Sequence, residues 1–275
     1  MKKVTHLGPA GTYTEMAARA FGGEAELIPL PSVAEVIDTV IRNDADMAVC
    51  AFENSIAGTV SIETIDLLLN PHFPLNIYGE VVLDISHMLI ARDQLDLDTI
   101  NTVFSHPSAL AQCRQSLQSL VPQANQIELL STTAAVEAAM ANGASAAIAG
   151  DLAAREFGAY ILAREIGDEK HNATRFLVLS KDKTTSTGDD KTTLVFNTID
   201  AESAGSLVNV LEIFAKRGIN LTRIESRPTR RQLGTYIFSV DVQGHQSDEN
   251  VAQALEEMEM KTSWVNVLGS YARWK

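Results

Sequence analysis

The sequence contains little cysteine, a shortage of positive charge and no long apolar run. Its two cysteines, Cys50 and Cys113, lie far apart without CxxC or Cys/His spacing, which argues against a zinc site and is typical of a reducing compartment. The 22 Lys and Arg against 35 Asp and Glu give a net charge of −13, which opposes binding to nucleic acid or an anionic membrane because both require basic patches. The N-terminal stretch has no apolar segment of the kind found in signal peptides. We therefore expect a cytoplasmic protein with two buried, inert thiols.

Several motifs of common enzymes are also missing. There is neither a GxGxxG after a strand nor a GxxxxGK[ST], so a nucleotide cofactor lacks support. The histidines are scattered without HExxH-type spacing, which argues against metal catalysis. No Ser or Cys stands in an elbow motif with a matching acid, which argues against a hydrolase triad, and His106 beside Pro107 suits a helix cap better than a base. We therefore expect no cofactor, no metal, and a cleft of neutral donors with one or two charges that binds a small carboxylate.

The residues that are present predict a folded α/β protein of about two domains. Hydrophobic residues make up 45% of the 275 positions, which is enough for a sizeable core. Capping patterns at Thr12/Glu15 and Ser32/Glu35 begin two helices. Helical patterns alternate with short apolar runs, which predicts a mostly parallel sheet. The predicted strands are 3–7, 47–52, 101–104, 127–130, 146–149 and 176–179.

A polar stretch at residues 180–191 interrupts this pattern and predicts a domain boundary. Beyond it the order is strand, helix, strand, strand, helix, strand, with the first helix stopped by Gly218. This βαββαβ order predicts a ferredoxin-like domain.

Polar side chains stand at the ends of the predicted strands, where α/β sheets bind their ligands. The candidates that follow strands are Thr12, Glu53, Asn54, Ser55 and Ser105. Thr174 and Arg175 come just before a strand, and Gln112 lies seven residues after Ser105, about two helical turns, so that both could face one side. Each pattern also has a structural interpretation: an Asx-type turn or cap at Asn54–Ser55, a surface pair at Thr174–Arg175, and a plain helix start after Ser105. Taken singly, each pattern favours that structural interpretation.

Taken together, the motifs resemble the prephenate dehydratase family in its monofunctional form with a C-terminal ACT domain. The resemblance covers nearly the whole chain and rests on "GPAGTYTEMAA", "FENSIAGTVSIETIDLL", "SHPSALAQC", "AAIAGDLAAREFGAYILAREIGDEKHNATRF", and "GSLVNVL" with "ESRP". It implies a two-lobed catalytic domain similar to type-II periplasmic binding proteins at 1–181, a linker at 182–190 and an ACT domain at 191–275. Lobe 1 would comprise 1–76 and 162–181, and lobe 2 would comprise 77–161.

The reaction that the resemblance implies is the decarboxylating dehydration of prephenate to phenylpyruvate in L-phenylalanine biosynthesis. The family's essential threonine maps to Thr174, whose hydroxyl would donate a hydrogen bond to the departing oxygen. Arg175 would pair with a substrate carboxylate. Glu53 would either hold Asn54 or be kept protonated by burial. The remaining substrate-binding residues would be Thr12, Asn54, Ser55, Ser105, Gln112 and Phe176.

The ACT resemblance implies feedback regulation by phenylalanine and assembly into a homodimer or homotetramer. The effector contacts would be Gly205, Leu207, Asn220, Leu221, Glu225, Ser226, Arg227 and Pro228. The sequence departs from the family where Cys50, Ala51 and Phe52 replace the usual Val-Pro before Glu-Asn-Ser. Such a change affects the strand end and leaves the polar triplet intact.

Three other functions compete with this prediction. An arogenate dehydratase would act on the aminated analogue of prephenate. A non-catalytic amino-acid sensor would need no hydroxyl at a leaving group, so the intact Thr174–Arg175–Phe176 motif counts against it. A periplasmic binding protein would require a signal peptide.

Overall fold

The computed structural model describes residues 1–199, 203–230 and 233–275. Within these residues the strands form three sheets. The sheet of lobe 1 has the order β2-β1-β3-β11-β5, with a short β4 beside β3. Its strands are β1 (Lys3–Leu7), β2 (Glu26–Leu30), β3 (Met47–Asn54), β4 (Gly58–Thr59), β5 (Asn76–Asp84) and β11 (Ala173–Ser180). Its helices are α1 (Tyr13–Gly22), α2 (Val33–Ile41) and α3 (Ile62–Leu68).

Lobe 2 is built on a second sheet in the order β10-β6-β9-β7-β8. The strands are β6 (Met88–Ala91), β7 (Thr102–Ser105), β8 (Asn125–Glu128), β9 (Ser145–Ala149) and β10 (Tyr160–Ala163). The helices are α4 (Pro107–Gln112), α5 (Arg114–Leu120), α6 (Thr132–Ala141) and α7 (Asp151–Glu156), with a 3₁₀ turn at Leu97–Thr99. The chain crosses between the lobes twice, at residues 85–87 and 164–172. This two-lobed α/β arrangement with two crossings confirms the expected catalytic fold.

The C-terminal domain confirms the predicted βαββαβ order. Its elements are β12 (Asp190–Thr198), α8 (Ser206–Lys216), β13 (Leu221–Pro228), β14 (Tyr236–Gln243), α9 (Glu249–Glu259) and β15 (Thr262–Ala272). The sheet order is β13-β14-β12-β15, and every pairing is antiparallel. Gly218 follows α8 with a φ of +66°, a left-handed conformation that glycine adopts without steric cost and that commonly ends a helix.

Three expectations about the catalytic sheets were wrong. The sheets are mixed, because β11 runs antiparallel to β3 and β5, and β6 runs antiparallel to β9 and β10. The lobe boundary expected at 76/77 lies later, because β5 is hydrogen-bonded along β11 and therefore belongs to lobe 1. The strand expected at 127–130 is β8, displaced by two residues; all four of its residues are exposed, so no apolar alternation marks its ends.

Capping accounts for the starts of the predicted helices. Thr12 Oγ1 accepts a hydrogen bond from the Glu15 amide, and Ser32 Oγ accepts one from the Glu35 amide, as the sequence predicted. Among the described residues no helix combines the length and apolarity needed to cross a lipid bilayer.

The C-terminal sheet packs directly on lobe 1. One hydrophobic cluster contains Phe52 and Ile77 of lobe 1 together with Leu268 and Tyr271 of β15. Gly269 lies so close to lobe 1 that a Cβ atom there would stand 2.2 Å from the Ile77 backbone oxygen. The two domains therefore share one core at this face, and glycine is required at the closest approach.

Candidate active site

A cleft of about 370 Å³ lies between the two lobes. Five of the predicted residues line it, namely Thr12, Asn54, Gln112, Thr174 and Phe176. Residues that the sequence did not single out for the substrate also line it, including Tyr13, Thr59, His87, Ser108 and Leu130. None of the described lining residues is Lys, Arg, Asp or Glu. The cleft is therefore a neutral chamber of hydroxyls, amides, imidazoles and apolar groups.

Asn54 fixes the hydroxyl of Thr174. Its Oδ1 accepts hydrogen bonds from the backbone amides of Ile56 at 3.0 Å and Ala57 at 2.9 Å, which form an Asx-type turn. Its Nδ2 must then point the other way, and it donates to Thr174 Oγ1 at 3.0 Å. Asn54 therefore forms the Asx-type turn and holds the Thr174 hydroxyl at the same time. Within the described residues the Thr174 hydroxyl has no acceptor for its own proton, so it is a free donor at the cleft wall.

Gln112 of α4, in lobe 2, is linked to Asn54 through Asn172. Its Oε1 lies 2.7 Å from His87 Nε2 and accepts a hydrogen bond from Asn172 Nδ2 at 3.0 Å. The Asn172 Oδ1 in turn accepts from Asn54 Nδ2 at 2.7 Å. A continuous chain of hydrogen bonds therefore joins both lobes beneath the cleft.

Arg175 does not face the cleft, which corrects its expected role with a substrate carboxylate. Successive side chains of a strand point to opposite faces, so Thr174 faces the cleft and Arg175 faces the C-terminal domain. Its Nη1 lies 2.5 Å from Asp241 Oδ2, its Nη2 donates to Tyr271 Oη at 2.6 Å, and its Nε lies 2.6 Å from Glu80 Oε2. Burial alone would lower the pKa of Arg175, but Tyr271, Asp241 and Glu80 together raise it. Arg175 is thus a buried cation between the domains.

Glu53 also points away from the cleft. Its Oε2 lies 3.3 Å from Arg175 Nη1 and 3.8 Å from Arg223 Nε of β13. Its side chain is 36% exposed and therefore lacks the burial that one expected role required. Among the described residues its carboxylate contacts these two arginines and not Asn54. Both expected roles of Glu53 are therefore replaced by an ionic contact between the domains.

The two predicted serines have structural contacts. Ser55 Oγ donates to the His171 carbonyl at 3.0 Å and accepts from the Ala173 amide at 2.9 Å, which ties the end of β3 to the second crossing. Ser105 is fully buried, and its Oγ donates to the Ile148 carbonyl at 2.9 Å. Neither serine lines the cleft. His106 caps α4 by accepting from the Ser108 amide, as the sequence predicted.

Comparison with known proteins identifies the family. The family model described as "Prephenate dehydratase" matches residues 4–184, and the model "ACT domain" matches 186–259. The chain belongs to the prephenate dehydratase family. Membership carries the family's reaction, so the chain is an enzyme, a carbon–oxygen lyase of the prephenate dehydratase type. The resemblance drawn from the sequence motifs is thereby confirmed.

Individual relatives agree with this assignment. "Prephenate dehydratase" from Methanocaldococcus jannaschii is 36% identical over 276 residues, covering 98% of this chain and 98% of the relative. The crystal structure of "Prephenate dehydratase in complex with L-Phe" from Arthrobacter aurescens has a TM-score of 0.88 and 37% identity, covering 98% of this chain and 90% of that chain. A third structure, described as "GqqA- a novel type of quorum quenching acylases", has a TM-score of 0.85 and 28% identity, covering 99% of this chain and 98% of that chain.

The predicted effector residues of this prephenate dehydratase lie on both sides of the ACT sheet. Gly205 precedes α8 with a φ of +87°, and Leu207 and Leu221 pack on the core beneath the helices. On β13 the side chains alternate, so Glu225 and Arg227 face the catalytic domain: Glu225 accepts from Thr59 Oγ1 at 2.9 Å, and Arg227 Nη2 lies 3.4 Å from Asp66. The other predicted contacts, Asn220, Ser226 and Pro228, are exposed. The ESRP motif therefore has two exposed residues, Ser226 and Pro228, and through Glu225 it contacts Thr59, which lines the cleft.

Among the polar residues that sequence reasoning missed, three have contacts that shape the site. Tyr13 Oη donates to the Ser86 carbonyl at 2.5 Å, and burial raises its pKa. Burial lowers the pKa of His87, whose Nδ1 is buried without a partner among the described residues. Asn172 immediately precedes β11. His87 and Asn172 belong to the crossings between lobes, where no periodic pattern marks a residue; only proximity to the Thr174 motif pointed to Asn172.

Proposed function

We propose that the chain converts prephenate to phenylpyruvate, carbon dioxide and water, with Thr174 as its catalytic residue. The C–C bond to the ring carboxylate breaks, its electron pair enters the ring, and the C–O bond to the ring hydroxyl breaks as the ring becomes aromatic. The departing hydroxide takes up one proton from the solvent and becomes water. The observation that carries this proposal concerns the Thr174 hydroxyl. Asn54 Nδ2 donates a hydrogen bond to the oxygen of that hydroxyl, and the hydroxyl proton remains available to the cleft. Such a fixed donor stabilises charge that develops on the departing oxygen.

The neutral lining of the cleft supports the same reaction. A cation near the ring carboxylate would stabilise the charged ground state more than a transition state in which that charge leaves as carbon dioxide. The described lining residues include no Lys or Arg, because Arg175 is directed to the ACT domain. We propose that Thr12 and Gln112 orient the substrate through neutral hydrogen bonds, while Phe176 packs against it.

The test replaces Thr174 by valine and by serine. Thr174→Val keeps the shape and removes the donor, so kcat should fall about 10²- to 10³-fold, whereas Thr174→Ser should retain most of the activity. Phenylpyruvate is followed through the absorbance of its enolate in alkali, and Thr39→Val on the surface of α2 serves as the matched control. A Thr174→Val enzyme with wild-type kcat would refute the assignment.

We propose that L-phenylalanine regulates the enzyme through the contacts between β13 and the cleft wall. L-Phe is bound in the Arthrobacter aurescens relative. In this chain Glu225 of the ESRP motif is hydrogen-bonded to Thr59, which lines the cleft. A ligand that binds more tightly to one position of β13 would thereby favour one position of Thr59. Phenylalanine should lower the turnover of prephenate in the same enolate assay.

Other activities have less support. Arogenate differs from prephenate at the side chain bearing the keto or amino group, and assay of both substrates distinguishes the two dehydratases. The acylase relative raises the question of a serine nucleophile, and His106 Nδ1 does lie 2.7 Å from Ser108 Oγ. However, this His–Ser pair caps α4, and within the described residues no carboxylate is hydrogen-bonded to His106. We therefore favour the dehydratase.

Cell location and assembly are further parts of the proposal. Cys50 and Cys113 are free and buried, and burial raises the pKa of each thiol to about 12, which suits the expected cytoplasm. β13 lies at one edge of the ACT sheet, with Ile224 48% exposed. This edge supports pairing of ACT domains in a homodimer or homotetramer, which light scattering of the purified protein would measure.

A further inference from the structure

We propose that Asn172 and His87 are positioning residues that determine which end of the Gln112 amide faces the substrate. The inference rests on the proposed function of the cleft and adds two residues to it. Neither one is required to touch the substrate; each acts through the oxygen of Gln112.

The hydrogen bonds of Gln112 are asymmetric. Its Oε1 interacts with two donors, His87 Nε2 and Asn172 Nδ2, and a carbonyl oxygen has two lone pairs to offer. Within the described residues its Nε2 has no partner, and the side chain lines the cleft. Gln112 therefore presents two N–H donors to the cleft, which is the polarity that an anionic substrate requires.

The direction of this network originates in the backbone. The amides of Ile56 and Ala57 can only donate, so they fix Oδ1 of Asn54 and turn its Nδ2 toward Asn172. The Asn172 Oδ1 accepts that bond at 2.7 Å, which leaves its Nδ2 to donate to Gln112 Oε1. Each amide in the series thus has its orientation set by the one before it.

His87 reinforces the same orientation from the other side. Because Gln112 Oε1 can only accept, the hydrogen bond at 2.7 Å requires the proton of the imidazole to be on Nε2. Burial lowers the pKa of His87, which favours this neutral form. A flipped Gln112 amide would place its N–H groups against the N–H of Asn172. It would also require the His87 proton on Nδ1, which is buried without a partner among the described residues.

Both residues lie where the chain passes between the lobes. His87 is in the crossing at 85–87, and Asn172 is in the crossing at 164–172. Gln112 belongs to lobe 2, whereas Asn54 belongs to lobe 1. The network therefore forms only when the lobes adopt their mutual position, and it links that position to the presentation of the Gln112 donors.

The first experiment replaces Asn172 by aspartate. Asn172→Asp keeps the shape and the acceptor for Asn54, but it replaces the donor to Gln112 with an acceptor, so the Gln112 amide should turn around. Loss of a hydrogen bond to a charged substrate should raise KM for prephenate about 10- to 100-fold, with a smaller change in kcat. In a Gln112→Ala background Asn172→Asp should have no further effect on KM, because it acts through that side chain.

The second experiment concerns His87. His87→Leu removes the donor and should raise KM in the same direction, whereas His87→Gln places an N–H near the same oxygen and should restore part of the wild-type KM. For Asn172→Asp of the first experiment the matched control is Asn76→Asp, since Asn76 donates to the Lys181 carbonyl far from the cleft. The Kd of prephenate, measured by calorimetry on every variant, provides a readout that does not depend on turnover.

The outcomes separate this proposal from the proposed function. If the wild type converts prephenate while Asn172→Asp retains its KM and Kd, the positioning role is refuted and the dehydratase stands. Equal effects of Asn172→Asp with and without Gln112 would also refute it. If the wild type binds prephenate without converting it, the function fails, and the Kd ratios still decide the role of Asn172. A wild type that neither binds nor converts prephenate overturns both.

Discussion

Replacement of Arg175 by methionine should destabilise the protein strongly and leave substrate binding almost unchanged. The Arg175 side chain is 8% exposed, and its partners Glu80 and Asp241 are 3% and 0% exposed. Methionine removes the cation and leaves both carboxylates buried. Glu80 retains Lys191 at 2.8 Å, so the carboxylate left without a cation is Asp241.

The magnitude follows from this arrangement. Breaking a buried ion pair by removal of one partner costs about 3–5 kcal/mol. At roughly 2–4 °C per kcal/mol, Tm should fall by about 6 to 20 °C. Asp241→Asn should restore part of the loss in the Arg175→Met background, because it removes the uncompensated charge. Thermal unfolding by circular dichroism, together with KM for prephenate at a temperature below the transition, provides the measurement.

The opposite result would refute the reasoning. If Arg175→Met unfolded at the wild-type temperature and raised KM more than about tenfold, Arg175 would be a substrate ligand, as the sequence suggested. If adding Asp241→Asn to Arg175→Met restored none of the lost stability, the ion pair would not be the source of that loss.

Three further predictions concern the domain contact, the linker and the effector site. Gly269→Ala places a Cβ against the Ile77 backbone, so it should destabilise the docking of the ACT domain and lower Tm. Burial opposes ionisation of Asp190, but hydrogen bonds from linker hydroxyls and amides lower its pKa. Asp190→Asn should lower the free energy of unfolding by about 1.5–3 kcal/mol at pH 7. The difference from the wild type, measured by urea unfolding, should vanish as the pH falls through that lowered pKa. Asp66→Asn frees Arg227 from an ion pair, so half-inhibition should require up to about fivefold less phenylalanine in the enolate assay.

Each of these variants has a matched control elsewhere in the chain. Gly143→Ala adds a methyl group that would meet only the end of the Arg92 side chain, at 3.8 Å. Asp182→Asn and Asp38→Asn remove exposed carboxylates. Equal effects of a variant and its control would contradict the corresponding prediction, as would an Asp190→Asn deficit that persists at strongly acid pH.

The sequence predicted those parts of the fold that carry a local pattern. The ACT domain was predicted in full because each of its strands and helices has its own periodicity. β8 could not be placed precisely, since its four residues are all exposed, and β5 carries no signal that assigns it to lobe 1. Its place is determined by pairing with β11, about 90 residues later in the chain.

The sequence predicted those residues of the site that lie in recognisable motifs next to a strand. Asn54 and Thr174 were found because their motifs carry the family resemblance and stand at strand ends. Arg175 was given the wrong role because the sequence shows Thr174–Arg175 as a unit, although alternation along a strand separates their faces. Its partners Asp241 and Tyr271 come from a different domain, and no local pattern in the sequence connects them.

Tyr271 has a consequence for how the protein is made. It is fully buried in the cluster that contains Phe52, yet it follows Phe52 by 219 residues in the chain. During synthesis, which runs from the N-terminus, the core of lobe 1 cannot be completed until the segment that carries Tyr271 has left the ribosome. Although the family models divide the chain near residue 185, a fragment that stops there would expose Phe52, Glu80 and Arg175. The boundary between the two family models therefore cuts across a hydrophobic core that both parts share.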